Sequence, residues 1–294
     1  MLDLATPVQQ LSFVVLDVET TGLEPEDRIV EVAALRLAPA APGSWTEIER
    51  FESLINPQVH IPPQATAVSG IDDALVSGAP SFAAVWPSVA RLLADAVFVA
   101  HNAPFDLHFM SSERKRAGLG TWDGPVLDTL RLARNVVHAP RYALAELVAT
   151  LGLAVAPAHR ALADVQATVE LLLALLARIA PAPRTLADLL QAQEPQPVAW
   201  DAAEAAGLIT GPLALLVPAA QDGEEVILDY ESRTGLRRMR VRPLRIESNG
   251  PLHYLQVEPG ETQAAPLRLR LDRIRRVSPL ARDATTHESD TSSV

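Results

Sequence analysis

The chain carries two acids one residue apart in an otherwise apolar run, Phe13-Val14-Val15-Leu16-Asp17-Val18-Glu19, closed by Thr20-Thr21-Gly22. β-Branched and aromatic residues at this density predict a strand, and side chains on a strand alternate faces. Asp17 and Glu19 therefore share one face. Two like charges on an apolar strand are costly to desolvate unless something positive meets them, and a divalent cation is the simplest partner. The plainer alternative is an edge strand whose acids face water ahead of a Thr-Thr-Gly turn.

Two later segments place further acids where a strand or loop gives way to a helix. Residues 97–102, Val-Phe-Val-Ala-His-Asn, predict a short buried strand, and Pro104 sits where the first turn of a following helix accepts proline. Asp106 then lies in the opening turns of that helix, where the macrodipole alone favours an acid. Asn102 has the identity of an ordinary N-cap or turn residue. Farther on, His159 and Asp164 precede Leu171, Leu172, Leu175 and Leu176, which follow the i, i+1, i+4, i+5 spacing of a buried helix face. His159 falls at or before the first turn, on backbone expected to be mobile, and Asp164 is fixed on the helix. Taken singly, a histidine beside Pro and Ala is a solvated loop residue.

Together these segments resemble the DnaQ-like 3′-5′ exonuclease superfamily, the DEDDh branch of the RNase H-like fold. D-x-E-T-T-G stands here as Asp17, Glu19, Thr20, Thr21 and Gly22; H-N-A-x-F-D as His101, Asn102, Ala103, Phe105 and Asp106; H-x-A-x-x-D as His159, Ala161 and Asp164. The similarity covers residues 11–178, and Asn56-Pro57, Ile61-Pro62, Gly70-Ile71 and Leu127-Asp128-Thr129 extend it. One such motif is weak, whereas three in order with every acid present are specific.

The resemblance implies an α/β domain, a mixed sheet flanked by helices, that releases nucleoside monophosphates from nucleic-acid 3′ ends. It implies that Asp17, Glu19, Asp106 and Asp164 hold two divalent ions. Two ions about 4 Å apart can activate water, stabilise the phosphorane-like transition state and neutralise the leaving 3′-oxygen. Hard oxygen donors and the absence of Cys favour Mg²⁺ or Mn²⁺. His159 is the candidate general base, since an unperturbed imidazole titrates near neutrality. The resemblance further assigns Thr20, Thr21 and Gly22 to the terminal nucleotide, along with His101 and Asn102. Leu23 and Phe105 are expected to wedge against terminal bases, with core packing the alternative for both.

Single-stranded DNA is the favoured substrate, with a polymerase or repair complex as a candidate partner. The alternatives are an exoribonuclease, or a nucleotide-sensing regulatory protein on an inert nuclease scaffold. Intact Asp17, Glu19, Asp106, His159 and Asp164 speak against inertness.

The 294 residues leave room for one medium domain and one small one. No apolar run reaches a membrane span and no secretory pattern opens the chain, so the expectation is a cytoplasmic protein without a membrane partner. A net charge of −11 runs against a nucleic-acid enzyme, but it is unevenly spread. Residues 1–178 carry 12 basic and 20 acidic side chains, whereas residues 223–282 carry 12 basic and 8 acidic. Positive charge thus concentrates late in the chain.

We expect the nuclease domain over residues 1–180, a Pro/Ala-rich linker with short helices over 181–212, a second domain over 213–282 and a disordered tail over 283–294. Alternating strands with turn signals at Thr234-Gly235 and Asn249-Gly250 mark the second domain. Pro243-Leu244, His253-Tyr254-Leu255 and Leu269-Arg270-Leu271-Asp272-Arg273-Ile274 resemble the WYL domain, a small Sm/SH3-like β-barrel, with His253 in place of its Trp. Arg238, Arg240 and Arg242 fall on one strand face, and Arg268 and Arg270 on another. With Tyr254 and Arg273 these arginines are the candidate accessory contacts to nucleic acid, a solubilising surface being the alternative.

Overall fold

The computed structural model describes residues 2–155, 158–232, 234–249, 252–260 and 265–280, and the chain divides into two compact units, residues 1–194 and 195–294. The first is built on a five-stranded sheet of β1 (Phe13–Thr20), β2 (Ile29–Ala41), β3 (Ser44–Leu54), β4 (Val97–Ala100) and β5 (Val126–Asp128), in the order β3-β2-β1-β4-β5. Its hairpin-side pairs, β1 with β2 and β2 with β3, are antiparallel; β1 with β4 and β4 with β5 are parallel. The sheet is mixed, as expected.

Its helices are α1 (Pro63–Ser69), α2 (Asp73–Val76), α3 (Phe82–Leu93), α4 (Ala103–Arg116), α5 (Thr129–Val136), α6 (Leu144–Leu151), α7 (Ala161–Leu176) and α8 (Leu186–Ala192). Strand parity sorts them into two layers. Phe13 and Val15 pack in one core with Leu132 of α5, Leu147 of α6, and Val165, Leu171, Leu172 and Leu175 of α7. Val14, Leu16 and Val18 pack in the other with Val85, Val89 and Leu92 of α3 and with Phe109 and Met110 of α4. Asp17 and Glu19 continue the Phe13–Val15 row, so β1 aims both acids at the α7 side.

The expected linker begins too early. Leu186 and Leu189 of α8 are wholly buried in the first core, and Thr185 and Asp188 form a capping box at the helix start. Gln193 then accepts the Asp128 N–H at 2.7 Å and donates to Val126 O at 2.9 Å, fastening the segment to β5. Apolar residues inside a short Pro-flanked stretch were the sign that it packs rather than links.

The second unit comprises β6 (Gln196–Val198), α9 (Trp200–Ala205), α10 (Leu216–Asp222), β7 (Val226–Ser232), β8 (Gly235–Asn249), β9 (Leu252–Pro259), β10 (Leu267–Arg270) and β11 (Ile274–Pro279). The antiparallel path runs β10-β9-β8-β7-β11, with β6 added to β8. Leu228, Val241, Ile246, Leu255 and Val257 form its core with Ala203 of α9 and Leu216 of α10.

The expected closed barrel is replaced by an open path: among the described residues no ladder joins β10 to β11. Residues 269–274 are not one strand, because a 3₁₀ turn at Leu271–Arg273 breaks them and sends β10 and β11 to opposite ends of the path. Gly250 and the 283–294 tail lie outside the described residues. Among those described, no helix is long and apolar enough to cross a membrane.

Candidate active site

β1 presents Asp17 and Glu19 at its C-terminal end, and α7 brings Asp164 over them. One carboxylate oxygen from each of the three lies within 4.8 Å of those of the other two. Asp106 arrives differently. It projects from α4, in the opposite layer, and its buried carboxylate accepts the Val18 N–H at 3.2 Å. β4 pairs with β1 only through Phe13–Val15, so the strand edge beyond is open for this side chain. The structure thus gathers three of the four expected acids into one ligating group and sets Asp106 beside it.

The electrostatics record the crowding. Burial, then the carboxylates of Asp106, Asp164, Glu19 and Glu31, hold Asp17 well above the usual carboxylate range. Burial, with Asp164 and Glu31, pushes Glu19 up to about 7, while Arg160 acts against the shift. Burial also raises Asp106, opposed by backbone N–H groups including that of Val18. For Asp164 burial again dominates and raises it, against the Ala158 N–H that its Oδ1 accepts at 2.9 Å. A metal-free site of this kind stores repulsion that a bound cation would relieve.

His159 is exposed and adopts the left-handed backbone region, φ +52°. Positive φ is uncommon outside glycine, and histidine, with Asn and Asp, is among the residues that adopt it most often. Its neighbours are each hydrogen-bonded: the Ala158 N–H to Asp164 on one side, and the Arg160 side chain to Glu31 on the other. Arg160 Nη2 lies 2.6 Å from Glu31 Oε1, and its Nε is 3.1 and 3.2 Å from the two oxygens. Glu31 Oε2 also accepts the Ala161 N–H at 2.9 Å, capping α7, which has no side-chain cap from Arg160.

The Thr20–Arg28 loop is held from inside. Thr20 Oγ1 donates to Gly22 O at 2.6 Å, and the buried Thr21 donates to Asp27 Oδ1 at 2.7 Å and accepts the Arg28 N–H at 3.0 Å. A Cβ on Gly22 would stand 2.3 Å from Asp27 Oδ2. Glycine here makes room for the Asp27 carboxylate, which also accepts the Glu24 N–H at 2.8 Å. Arg28 fastens the loop to α4 through a two-pronged bond to buried Glu113, at 2.5 and 2.9 Å. Leu23 is left 82% exposed, whereas the half-buried Phe105 packs on Phe109 with ring centroids 4.8 Å apart.

His101 departs from its expected role at the substrate. Its Nε2 donates to Tyr142 O at 3.0 Å and its Nδ1 lies 3.0 Å from Thr129 Oγ1, so both ring nitrogens are spent within the fold. Burial lowers its pKa, which keeps the ring neutral. Asn102, at φ +71°, offers its backbone N–H to Asp128 at 3.0 Å and leaves its side chain exposed, without capping α4.

Glu31, Arg160, Asp27 and Glu113 were not found from sequence. The one usable signal was Glu31 itself, a lone charge in the apolar run of residues 29–35. In the second unit, acids answer the expected basic row. Arg238 pairs with Asp229 at 3.8 Å, Arg240 with Glu225 at 2.5 Å and Arg242 with Glu258 at 3.1 Å. Arg270 pairs with Asp272 at 2.5 Å, Arg268 stacks over Tyr254 at 4.1 Å, and Arg273 lies in the 3₁₀ turn.

A mixed sheet whose central strand and flanking helices bring acids to one end is the frame of a carboxylate-centred nuclease, and the sequence model of the Exonuclease family matches residues 14–172. The chain belongs to that family. A DNA polymerase III subunit epsilon-like protein of Rhodobacter capsulatus is 43% identical over 169 residues, 55% of this chain and 23% of that protein. The 3′-5′ exonuclease DinG of Bacillus subtilis is 41% identical over 159 residues, 53% of this chain and 16% of that protein. The chain thus spans less than a quarter of either relative's length. E. coli exonuclease I in complex with a dT13 oligonucleotide shares the fold, with a TM-score of 0.51 at 18% identity over 82% of this chain and 55% of that one.

Proposed function

We propose that the chain is a metal-dependent 3′-5′ exonuclease that acts on DNA, with single-stranded ends favoured. The observation that carries this reading is the convergence of Asp17, Glu19 and Asp164, with carboxylate oxygens within 4.8 Å of one another. Their all-oxygen donor set and raised proton affinity fit Mg²⁺ or Mn²⁺, with Asp106 completing the ligands of a two-ion site. When bound, such ions polarise the scissile phosphate and neutralise the leaving oxygen. Exposed His159 takes the proton of the attacking water, and the Thr20–Leu23 loop seats the terminal nucleotide. The DNA preference draws on relatives named for DNA polymerase III and on the oligonucleotide complex of the structural neighbour.

The second unit is read as a WYL-like accessory module that grips the strand through Arg238, Arg240, Arg242, Arg270 and Arg273, with Tyr254 as a stacking surface. Exposed ion pairs are worth about 0–1 kcal/mol, so these arginines can exchange their acids for phosphates at little cost.

The test is purified protein with Mg²⁺ or Mn²⁺ on end-labelled single-stranded DNA, duplex DNA and RNA. Mononucleotides should appear from the 3′ end, EDTA should stop the reaction reversibly, and Asp17→Asn or Asp164→Asn should abolish it. His159→Ala should lower turnover by about 10² to 10⁴-fold with little change in affinity. Unchanged hydrolysis by Asp17→Asn would overturn the reading.

A further inference from the structure

We infer that Glu31 is a positioning residue, acting through Arg160 on His159. The inference rests on the exonuclease reading above. Glu31 lies directly across from Glu19 in the β1–β2 ladder, and its side chain is 1% exposed. Its two oxygens accept from the Nε–Nη2 edge of the Arg160 guanidinium and from the first N–H of α7. The residue before Arg160 is His159, in left-handed backbone, and Ala158 is anchored to Asp164. The imidazole therefore springs from a single strained residue clamped on both sides. Release of the Arg160 clamp would let His159 relax to commoner backbone angles and carry its ring away.

Stability alone is a poor account of this acid. It adds a negative charge beside Glu19 and Asp17, raising the proton affinity of both. A buried ion pair is often no more stabilising than a well-packed apolar group. What an apolar residue could not do is hold Arg160 and the α7 N-terminus in one fixed geometry from 129 residues away.

The experiment is a double-mutant cycle on single-stranded DNA. Glu31→Gln, which keeps volume and one acceptor oxygen, should lower kcat by about 10 to 100-fold with KM little moved, the usual scale for residues that orient others. In a His159→Ala background the same substitution should change kcat by less than about threefold, because the group it orients is already gone. Arg160→Lys, which keeps the charge without the planar fork, should show the same pattern and stands in if Glu31→Gln fails to fold. Equal losses in both backgrounds would overturn the inference and leave Glu31 as a structural residue, as would full turnover by Glu31→Gln. If His159→Ala alone retains normal turnover, the role of His159 in the exonuclease reading fails first, and the inference falls with it.

Discussion

Asp106 and Val18 tie α4 to the central strand: the Asp106 carboxylate accepts the backbone N–H of Val18, on the strand that carries Asp17 and Glu19, at 3.2 Å. The bond closes an open strand edge, a task separate from the metal-ligand role proposed for Asp106. Asp106→Asn should be inactive yet fold normally, since its amide oxygen can still accept from Val18. Asp106→Ala should be inactive and also less stable by about 1–3 kcal/mol, the cost of a buried amide left unpaired. Thermal unfolding in EDTA separates the two; equal melting temperatures would remove the strand-closing role.

The raised Glu19 gives metal-free protein a pH signature. Its folded pKa of about 7 lies above the ordinary value of 4.5, so between those values the native state holds a proton that the unfolded chain releases. Its contribution to stability is therefore greatest at the acid end of that window and declines as pH rises towards 7. Half-buried His101, whose pKa burial lowers, works the other way, losing stability as pH falls through the ordinary imidazole range. The difference in Tm between Glu19→Gln and the parent protein isolates the first effect. In EDTA it should favour the variant increasingly from pH 5 to pH 8; a constant difference would show that Glu19 titrates normally.

Gly22→Ala should harm substrate binding more than chemistry. The added Cβ would force the Asp27 carboxylate aside, releasing Thr21 and the Glu24 N–H that shape the loop. Overpacking of this kind typically costs about 1–3 kcal/mol. Steady-state kinetics should show KM rising several-fold with a smaller fall in kcat. A loss confined to kcat would place the glycine's role at the reacting phosphate instead.

Removal of the second unit should leave catalysis and weaken grip. The cut belongs after Glu194, since α8 packs in the first core. The shortened chain should still release nucleotides but bind long single strands less tightly. Its slope of log affinity against log salt should be shallower by about 0.7 for each phosphate that the arginines no longer neutralise. Identical slopes and affinities for the two proteins would mean that Arg238, Arg240, Arg242 and Arg270 stay with their acids.

What the sequence by itself determined was local. Alternation on β1 put Asp17 and Glu19 on one face, Pro104 marked the start of α4 with Asp106 inside it, and the leucine spacing after Asp164 defined α7. Each follows from a period of 2 or 3.6 residues that any short window displays. What only the tertiary structure decided was partnership. Strand register set Glu31 opposite Glu19, and the crossing of α7 over β2 brought Arg160 to it. The same non-local geometry filled the space beside Gly22 with Asp27, spent both nitrogens of His101 inside the fold and gave the arginines of β8 their acids. Pairings between residues far apart in the chain depend on how layers pack and ladders align, and no local periodicity carries that information.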